Sequence, residues 1–218
     1  MALTLANGLG VDDVFRFVQF VANKESRGWI SPEEFLIAAE VAQLSLYSEL
    51  EALYAQTKKV HASLRPFESV SDTIIDSDPL PSRFRIPIIA SVVGGGGTVG
   101  AEVKEIEKAE LPNIITSSIV APSLAYPIYY IDGENVIVYI IPDVITIKID
   151  FLRAPIPPVW GYTVSASGRP VYAEVSSTNF GFDPSLFTDI SMRILANIGI
   201  NIGKEEITQY AIGIKQKA

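Results

Sequence analysis

Ser31-Pro32-Glu33-Glu34 constrains this chain more than any other stretch. A serine hydroxyl can accept a backbone N–H of the first helical turn, and proline's fixed φ suits the first helical position. A glutamate three residues after the serine can reach back to close a capping box. A helix must therefore open here. Its apolar stripe is Phe35, Ala38, Ala39, Ala42, Leu46, Leu50, Leu53 and Tyr54, which carries it to about Thr57. Some 26 residues at ~1.5 Å each give a rod of nearly 40 Å. The small alanines suit close helix–helix packing. Upstream, Val14, Phe15, Val18 and Val21 fall near i, i+3, i+4, i+7, so residues 11–27 also read as a helix. Asp12 and Asp13 lie at its N-terminal end, where the helix dipole favours acids, and Gly28 can end it in the left-handed conformation. Two helices joined by so tight a turn form an antiparallel hairpin.

The period then changes. Phe84 to Val93 is rich in β-formers, with Pro87 placing it on an edge or splitting it. Gly94, Gly95, Gly96 and Gly97 read as a loop. Glu102 to Lys108 alternates imperfectly and reads as a strand, with helix as the alternative. Ile128–Ile131, Asp132-Gly133 and Asn135–Ile141 read as a hairpin. From Val144 to Leu152, Ile145, Ile147, Ile149 and Phe151 alternate with a mixed face, the pattern of a half-buried antiparallel strand. Pro155, Pro157 and Pro158 stop it. Val159 to Val175 is an extended arm or second hairpin around Ser167-Gly168. Helix returns where Asp183 caps, Pro184 starts, and Leu186, Phe187, Ile190, Ile194, Leu195 and Ile198 form a stripe closed by Gly199. Lys204 to Lys217 reads as a weaker helix or a tail.

Helices, then strands, then helices predict an α+β fold. A helical bundle is expected from residues 11–60 and 183–218. An antiparallel β domain over 80–176, with its Pro/Trp extended arm, is expected as the insertion.

Composition removes much of enzymology. There is no cysteine and one histidine, His61. Disulfide scaffolds, thiol nucleophiles, Cys-based zinc sites and poly-histidine metal sites are all excluded. The net charge of −8 is the wrong sign for electrostatic capture of nucleic acid. The start MALTLANGLGVDD lacks a basic region, so no signal peptide is expected. The uncharged run Leu111 to Ile131 contains three prolines and reads as strand and loop, not as a membrane span. Yet a mean hydropathy of +0.29 is high for a chain with 19% charged residues. The apolar surplus points to a subunit interface.

Individual motifs have simple readings. Asn23 to Glu34 has glycine, isoleucine and glutamate at EF-hand positions six, eight and twelve. Arg27 falls where a hard cation needs oxygen, and a helix–Gly–cap turn explains Gly28 and Glu34 without metal. The four-glycine run lacks the Lys-Ser/Thr of a phosphate loop. His61 reads as a surface residue, and Glu33-Glu34 as first-turn acids. No nucleophile elbow is present, so no catalytic residue, metal or cofactor is expected. The segment Leu152 to Tyr162, stiffened by its prolines, carries Trp160 and Tyr162 as large amphipathic anchors. They serve either the junction of the β and helical layers or an intersubunit contact.

Four stretches in one order carry a resemblance: NKESRGWISPEEFLIAAEVAQ (Asn23–Gln43), LRAPIPPVWGYT (Leu152–Thr163), GRPVY (Gly168–Tyr172) and DPSLFTDISMRILANIGIN (Asp183–Asn201). Together they resemble the head–tail connector (adaptor or ring) proteins of short-tailed double-stranded DNA phages, crAss-like phages above all. The likeness covers half of the chain and leaves out residues 61–125. It implies a non-enzymatic virion protein of the phage neck, assembled in the bacterial host cytoplasm. About a dozen copies would ring the portal through one repeated heterologous contact. They would touch the portal protein and the next tail or ring protein, and DNA would only pass through; no membrane is involved. The alanine-lined hairpin would supply the contact between copies. Trp29, Phe35, Arg153, Pro155, Pro158, Trp160, Tyr162 and Tyr172 would be interface or interdomain anchors. Gly94 to Gly97 and the C-terminal tail would order on docking. The alternatives are a binding module taking a peptide or glycan through Trp160, Tyr129, Tyr130 and Tyr162, and an EF-hand-like calcium protein.

Overall fold

A computed structural model describes residues 9–24, 28–95, 99–117, 119, 121–139 and 145–199. The chain divides into two compact units, Met1–Pro66 with Pro155–Ala218, and Phe67–Ala154. The proline–tryptophan arm, expected with the β domain, belongs to the helical unit instead. Its apolar side chains find their partners there.

In the helical unit, α1 (Val11–Lys24) buries Val11, Val14, Phe15, Phe17, Val18 and Val21. Arg16 pairs with Asp12 at 2.8 Å, one turn away. Burial, reinforced by Asp12 and opposed by Arg16, raises the Asp13 pKa. The α2 helix (Pro32–Thr57) begins with the expected cap: Ser31 Oγ accepts the Glu34 N–H at 3.2 Å, and the Glu34 carboxylate accepts the Ser31 N–H at 3.0 Å. It ends at Lys58, whose left-handed backbone sends its N–H to the Tyr54 carbonyl. Between α1 and α2, Gly28 has a φ of +81°. The Gln19 amide holds this turn by donating to the Ile30 carbonyl and accepting the Ile30 N–H.

The returning segment is a 3₁₀ turn at Pro184–Leu186 capped by Asp183, followed by an α-helix at Phe187–Asn197. Arg193 on that helix makes a two-pronged contact with Glu49 of α2 at 2.8 and 2.6 Å and also donates to Ser45. Asn197 donates to the Ala38 carbonyl, and Phe187 stacks edge-on against Phe17 of α1 at 5.2 Å. A short antiparallel bridge between Leu9 and Phe180 joins the two chain segments of this unit. Lys204 to Lys217 lies outside the described residues.

The second unit is a seven-stranded sheet. In chain order its strands are β1 (Glu68–Val70), β2 (Asp78–Pro79), β3 (Phe84–Gly95), β4 (Glu102–Glu105), β5 (Ile128–Asp132), β6 (Asn135–Tyr139) and β7 (Ile145–Arg153). Across the sheet the order is β1-β7-β3-β4-β5-β6-β2. The expected hairpin forms β5 and β6, with Gly133 supplying the positive φ of its turn. The alternation read on β7 holds: Ile145, Ile147, Ile149 and Phe151 are all buried, with Ile74, Ala90, Val92, Val103, Tyr129 and Val136.

Two expectations about the strands need correction. The domain is not purely antiparallel: β4 and β5 run parallel, Lys104 beside Ile128. Their connection holds a 3₁₀ turn and a short helix, α3 (Leu111–Ile115), and is long enough for the crossover a parallel pair requires. Second, Gly94 and Gly95 are not loop. They continue β3 opposite Thr146 and Ile145, because β7 offers backbone partners and glycine can use them. Gly96 and Gly97 lie outside the described residues. Pro87, read as an edge or a split of β3, falls at a break in its pairing. It sits between register shifts, in the half of the strand that β4 does not reach.

Candidate functional site

The arm is built around Trp160. Its indole lies 4.2 Å from the Phe15 ring of α1, centroid to centroid, and its Nε1–H donates to Asp12 at 3.0 Å. Phe15 in turn meets Phe35 of α2 edge-on at 4.9 Å and Trp29 of the turn at 6.4 Å. On the other side, Tyr162 stacks on Trp160 at 5.7 Å and Tyr172 lies at 5.9 Å. These tyrosines open and close a two-stranded ribbon, β8 (Tyr162–Val164) and β9 (Pro170–Tyr172), turning at Gly168 with a φ of +78°. Gly161 is required next to Trp160, since a Cβ there would lie 2.6 Å from the Ser176 carbonyl oxygen. Gln43 of α2 donates to the Ile156 carbonyl at 2.7 Å, and Pro155 and Pro158 are buried.

The Tyr162 hydroxyl donates to Glu33 at 2.8 Å, tying the ribbon to the start of α2. Glu33's own backbone N–H, and then this hydroxyl, hold its carboxyl below the usual range; the same bond raises the tyrosine.

The anchors expected from the sequence therefore divide. Phe35 and Trp160 are buried, and in this structure they serve cohesion of the helical unit, not contact with other molecules. Trp29 is 61% exposed. Tyr162 and Tyr172 are half-covered by the stack. Arg153 ends β7 and belongs to the sheet unit. The aromatic set proposed for a peptide or glycan also fails as a set, because Tyr129 and Trp160 are both buried.

The alanine stripe also needs correction. Ala38, Ala39 and Ala42 face inward, so they are not a contact for a neighbouring copy. The uncovered surface is the opposite side of α2. There Ile37, Val41 and Leu44 are 67%, 51% and 48% exposed. Their i, i+4, i+7 spacing puts them in one stripe, which Ser48 and Ala55 continue. Among the described residues, α2 is thus apolar on two faces, one of them packed. Part of the signal was present in the sequence: these three residues, with Leu36 and Tyr47, are the large apolar positions left over when the inward stripe is assigned.

The remaining candidates carry little chemistry. His61 is exposed, its Nδ1 accepting the Ser63 N–H at 3.2 Å. Glu34, twelfth in the calcium-like stretch, is engaged by Ser31, and residues 25–27 of that stretch lie outside the described residues. Among the described residues no three acids or histidines are grouped as for a metal. The sheet unit has a half-open apolar groove of about 580 Å³, walled by Ile106, Ile114, Ile119, Tyr126 and Ile128. No described helix is long and apolar enough to cross a membrane.

No protein-family model matches the chain, and no curated protein matches it.

Proposed function

We propose that this chain is a structural ring subunit of a phage neck, placed between portal and tail and leaving a channel for DNA. The observation that carries the reading is the second apolar face of α2. A 26-residue helix that leaves Ile37, Val41 and Leu44 in water is a helix built for a neighbour. The likeness of the capped hairpin, proline–tryptophan arm and closing helix to connector proteins supports the same reading. A chain with no cysteine and one exposed histidine suits a structural role better than bond-making. In this reading the subunit works in the virion after assembly in the host cytoplasm, and its partners are further copies, the portal protein and the next tail protein. The excess of acids lets DNA slide past without adhering, provided acids line the channel.

Light scattering and electron cryo-microscopy test this directly. The expected result is a ring of about a dozen copies, formed by the chain alone or on a portal ring. A particle that stays at 23.7 kDa in both settings would overturn the proposal. So would a ring whose channel is lined by lysine and arginine.

The apolar groove of the sheet unit favours one second reading, a peptide- or glycan-binding module. It predicts a ligand-dependent rise in melting temperature that Ile114→Asp abolishes.

A further inference from the structure

The half-open groove of the sheet unit is walled by β4, α3, β5 and the stretch that leads into β5. Its apolar wall is Ile106, Ile114, Ile119, Tyr126 and Ile128, and at about 580 Å³ it has room for several side chains. Ile119 is 87% exposed and Tyr126 69%, so two large apolar groups beside it stay in water. Lys104 is the base on its wall, and its surroundings are acidic. Glu102 is exposed, as are Glu107 and Glu110 on the stretch between Ile106 and Ile114. Lys108, which lies between those two, is paired with Asp132 at 2.7 Å. Residues 67–154 as a whole hold twelve acids and six bases. A fitting occupant is an apolar stretch that carries basic groups.

The chain contains such a stretch. Residues 207–217, outside the described residues, read ITQYAIGIKQK. Ile207, Tyr210, Ala211 and Ile214 fall at i, i+3, i+4 and i+7, the spacing with which an amphipathic helix fills an apolar groove. Lys215 and Lys217 follow the stripe, and the stretch holds no acid. Glu205 and Glu206 come just before it, so acids precede and bases follow, the order that a helix dipole favours. Eight residues separate Ile207 from Gly199, a reach of up to ~28 Å toward a neighbouring molecule. Groove and stretch are different parts of one chain, so their contact is heterologous and can repeat from copy to copy.

We infer that residues 207–217 of one copy dock in the apolar groove of the sheet unit of the next, with Tyr210 and Ile214 among Ile106, Ile114 and Ile128 and Lys215 toward Glu107 and Glu110. The inference rests on the ring reading and names a contact that links its copies.

The chain has no cysteine, so only introduced thiols react with a short bismaleimide. Ile119→Cys and Ile212→Cys are made in the full chain, singly and together. An equimolar mixture of the single variants is expected to give a cross-linked dimer, and the double variant a ladder. Each single variant alone is expected to stay monomeric on a denaturing gel. In sedimentation equilibrium, Ile114→Asp and Tyr210→Asp should each weaken association about tenfold, and the two together no more than either alone, since both remove one contact. A synthetic peptide of residues 207–217 in excess should dissociate the parent oligomer, and the same peptide with Tyr210→Asp should not. Circular dichroism verifies that the variants are folded.

A double variant that closes within one chain would place the stretch in its own copy's groove and overturn the inference. Dimers from Ile212→Cys alone would mean that stretch meets stretch, and would overturn it as well. Unaltered association in Ile114→Asp would leave the groove to a foreign ligand, with the same consequence. An oligomer that gives no cross-links and ignores the peptide would overturn this contact while leaving the ring reading standing. A chain monomeric up to its solubility limit would overturn it too, and the ring reading would then depend on assembly on a portal ring.

Discussion

In the sheet unit the buried side chains are mostly aliphatic. Ile145, Ile147 and Ile149 of β7 line up on one face and meet Val92, Val103 and Val136 from neighbouring strands. The unit is one continuous stretch, Phe67–Ala154. The helical unit is assembled from two stretches far apart in sequence, and rings and polar ties join them. Trp160 sits on Phe15, Phe187 on Phe17, and Arg193 on Glu49. The contrast is instructive. A continuous unit can rely on alternation along its strands. A discontinuous one needs large side chains that gather many contacts at a few points, with hydrogen bonds fixing their placement.

The most damaging change should be Trp160→Ala. It empties the centre of the ring cluster and leaves Asp12 without its indole donor, so a loss of about 3–5 kcal/mol is expected. Urea unfolding measures the loss, and amide exchange should place it in α1 and the arm. If exchange there is unaltered, the arm is not what joins the two stretches. Ile147→Ala is the matching change in the sheet unit. It should cost ~3 kcal/mol, with amides of β3 and β7 exposed first. A loss spread evenly over both units would break the comparison.

Ser31→Ala removes one half of the capping box and should cost ~1 kcal/mol, seen as a lower urea midpoint with an unchanged slope. No change would mean that α2 is held by its packing alone. Arg193→Ala should cost only about 0.5 kcal/mol, because its partner Glu49 is largely in water.

Acid sharpens this last point. Arg193 holds the Glu49 pKa below its ordinary value, so that stabilisation is complete above the ordinary value and is lost as pH falls through the depressed one. The stability gap between the parent and Glu49→Gln should therefore be present at pH 6 and close on acidification. Asp13 is shifted the other way. Its contribution is complete below the ordinary aspartate range and is lost as pH rises through the raised value. Asp13→Asn should gain on the parent toward neutral pH, and a gap constant with pH would count against the burial argument.

Much of the fold was legible from local rules. The capping box, the length of α2, the Gly28 turn, the isoleucine face of β7 and the hairpin at Gly133 each depend on residues close in sequence. The misread features share one cause: each depends on a distant partner. Gly94 and Gly95 become strand because β7 lies beside them. β4 runs parallel to β5 because its partner is a strand 24 residues further on, Lys104 beside Ile128. The arm leaves the β domain because Phe15 and Asp12, nearly 150 residues upstream, hold Trp160.

The same holds for the candidate site. The sequence, 48% hydrophobic with no cysteine and one histidine, suggested an apolar contact surface. It placed the contact on the alanines, since small residues suit close packing. The alanines are instead consumed inside the unit by the helix that carries Arg193 and Asn197, and the larger Ile37, Val41 and Leu44 are left outside.

Composition and spacing alone determined that α2 would be a long capped helix, that β7 would bury its isoleucines, and that no thiol is at hand. Those outcomes follow from backbone sterics, side-chain periodicity and the list of donor atoms. Only the tertiary structure decided which of α2's two greasy faces would be satisfied at home. That choice belongs to the packing of segments distant in the chain, and no local period records it.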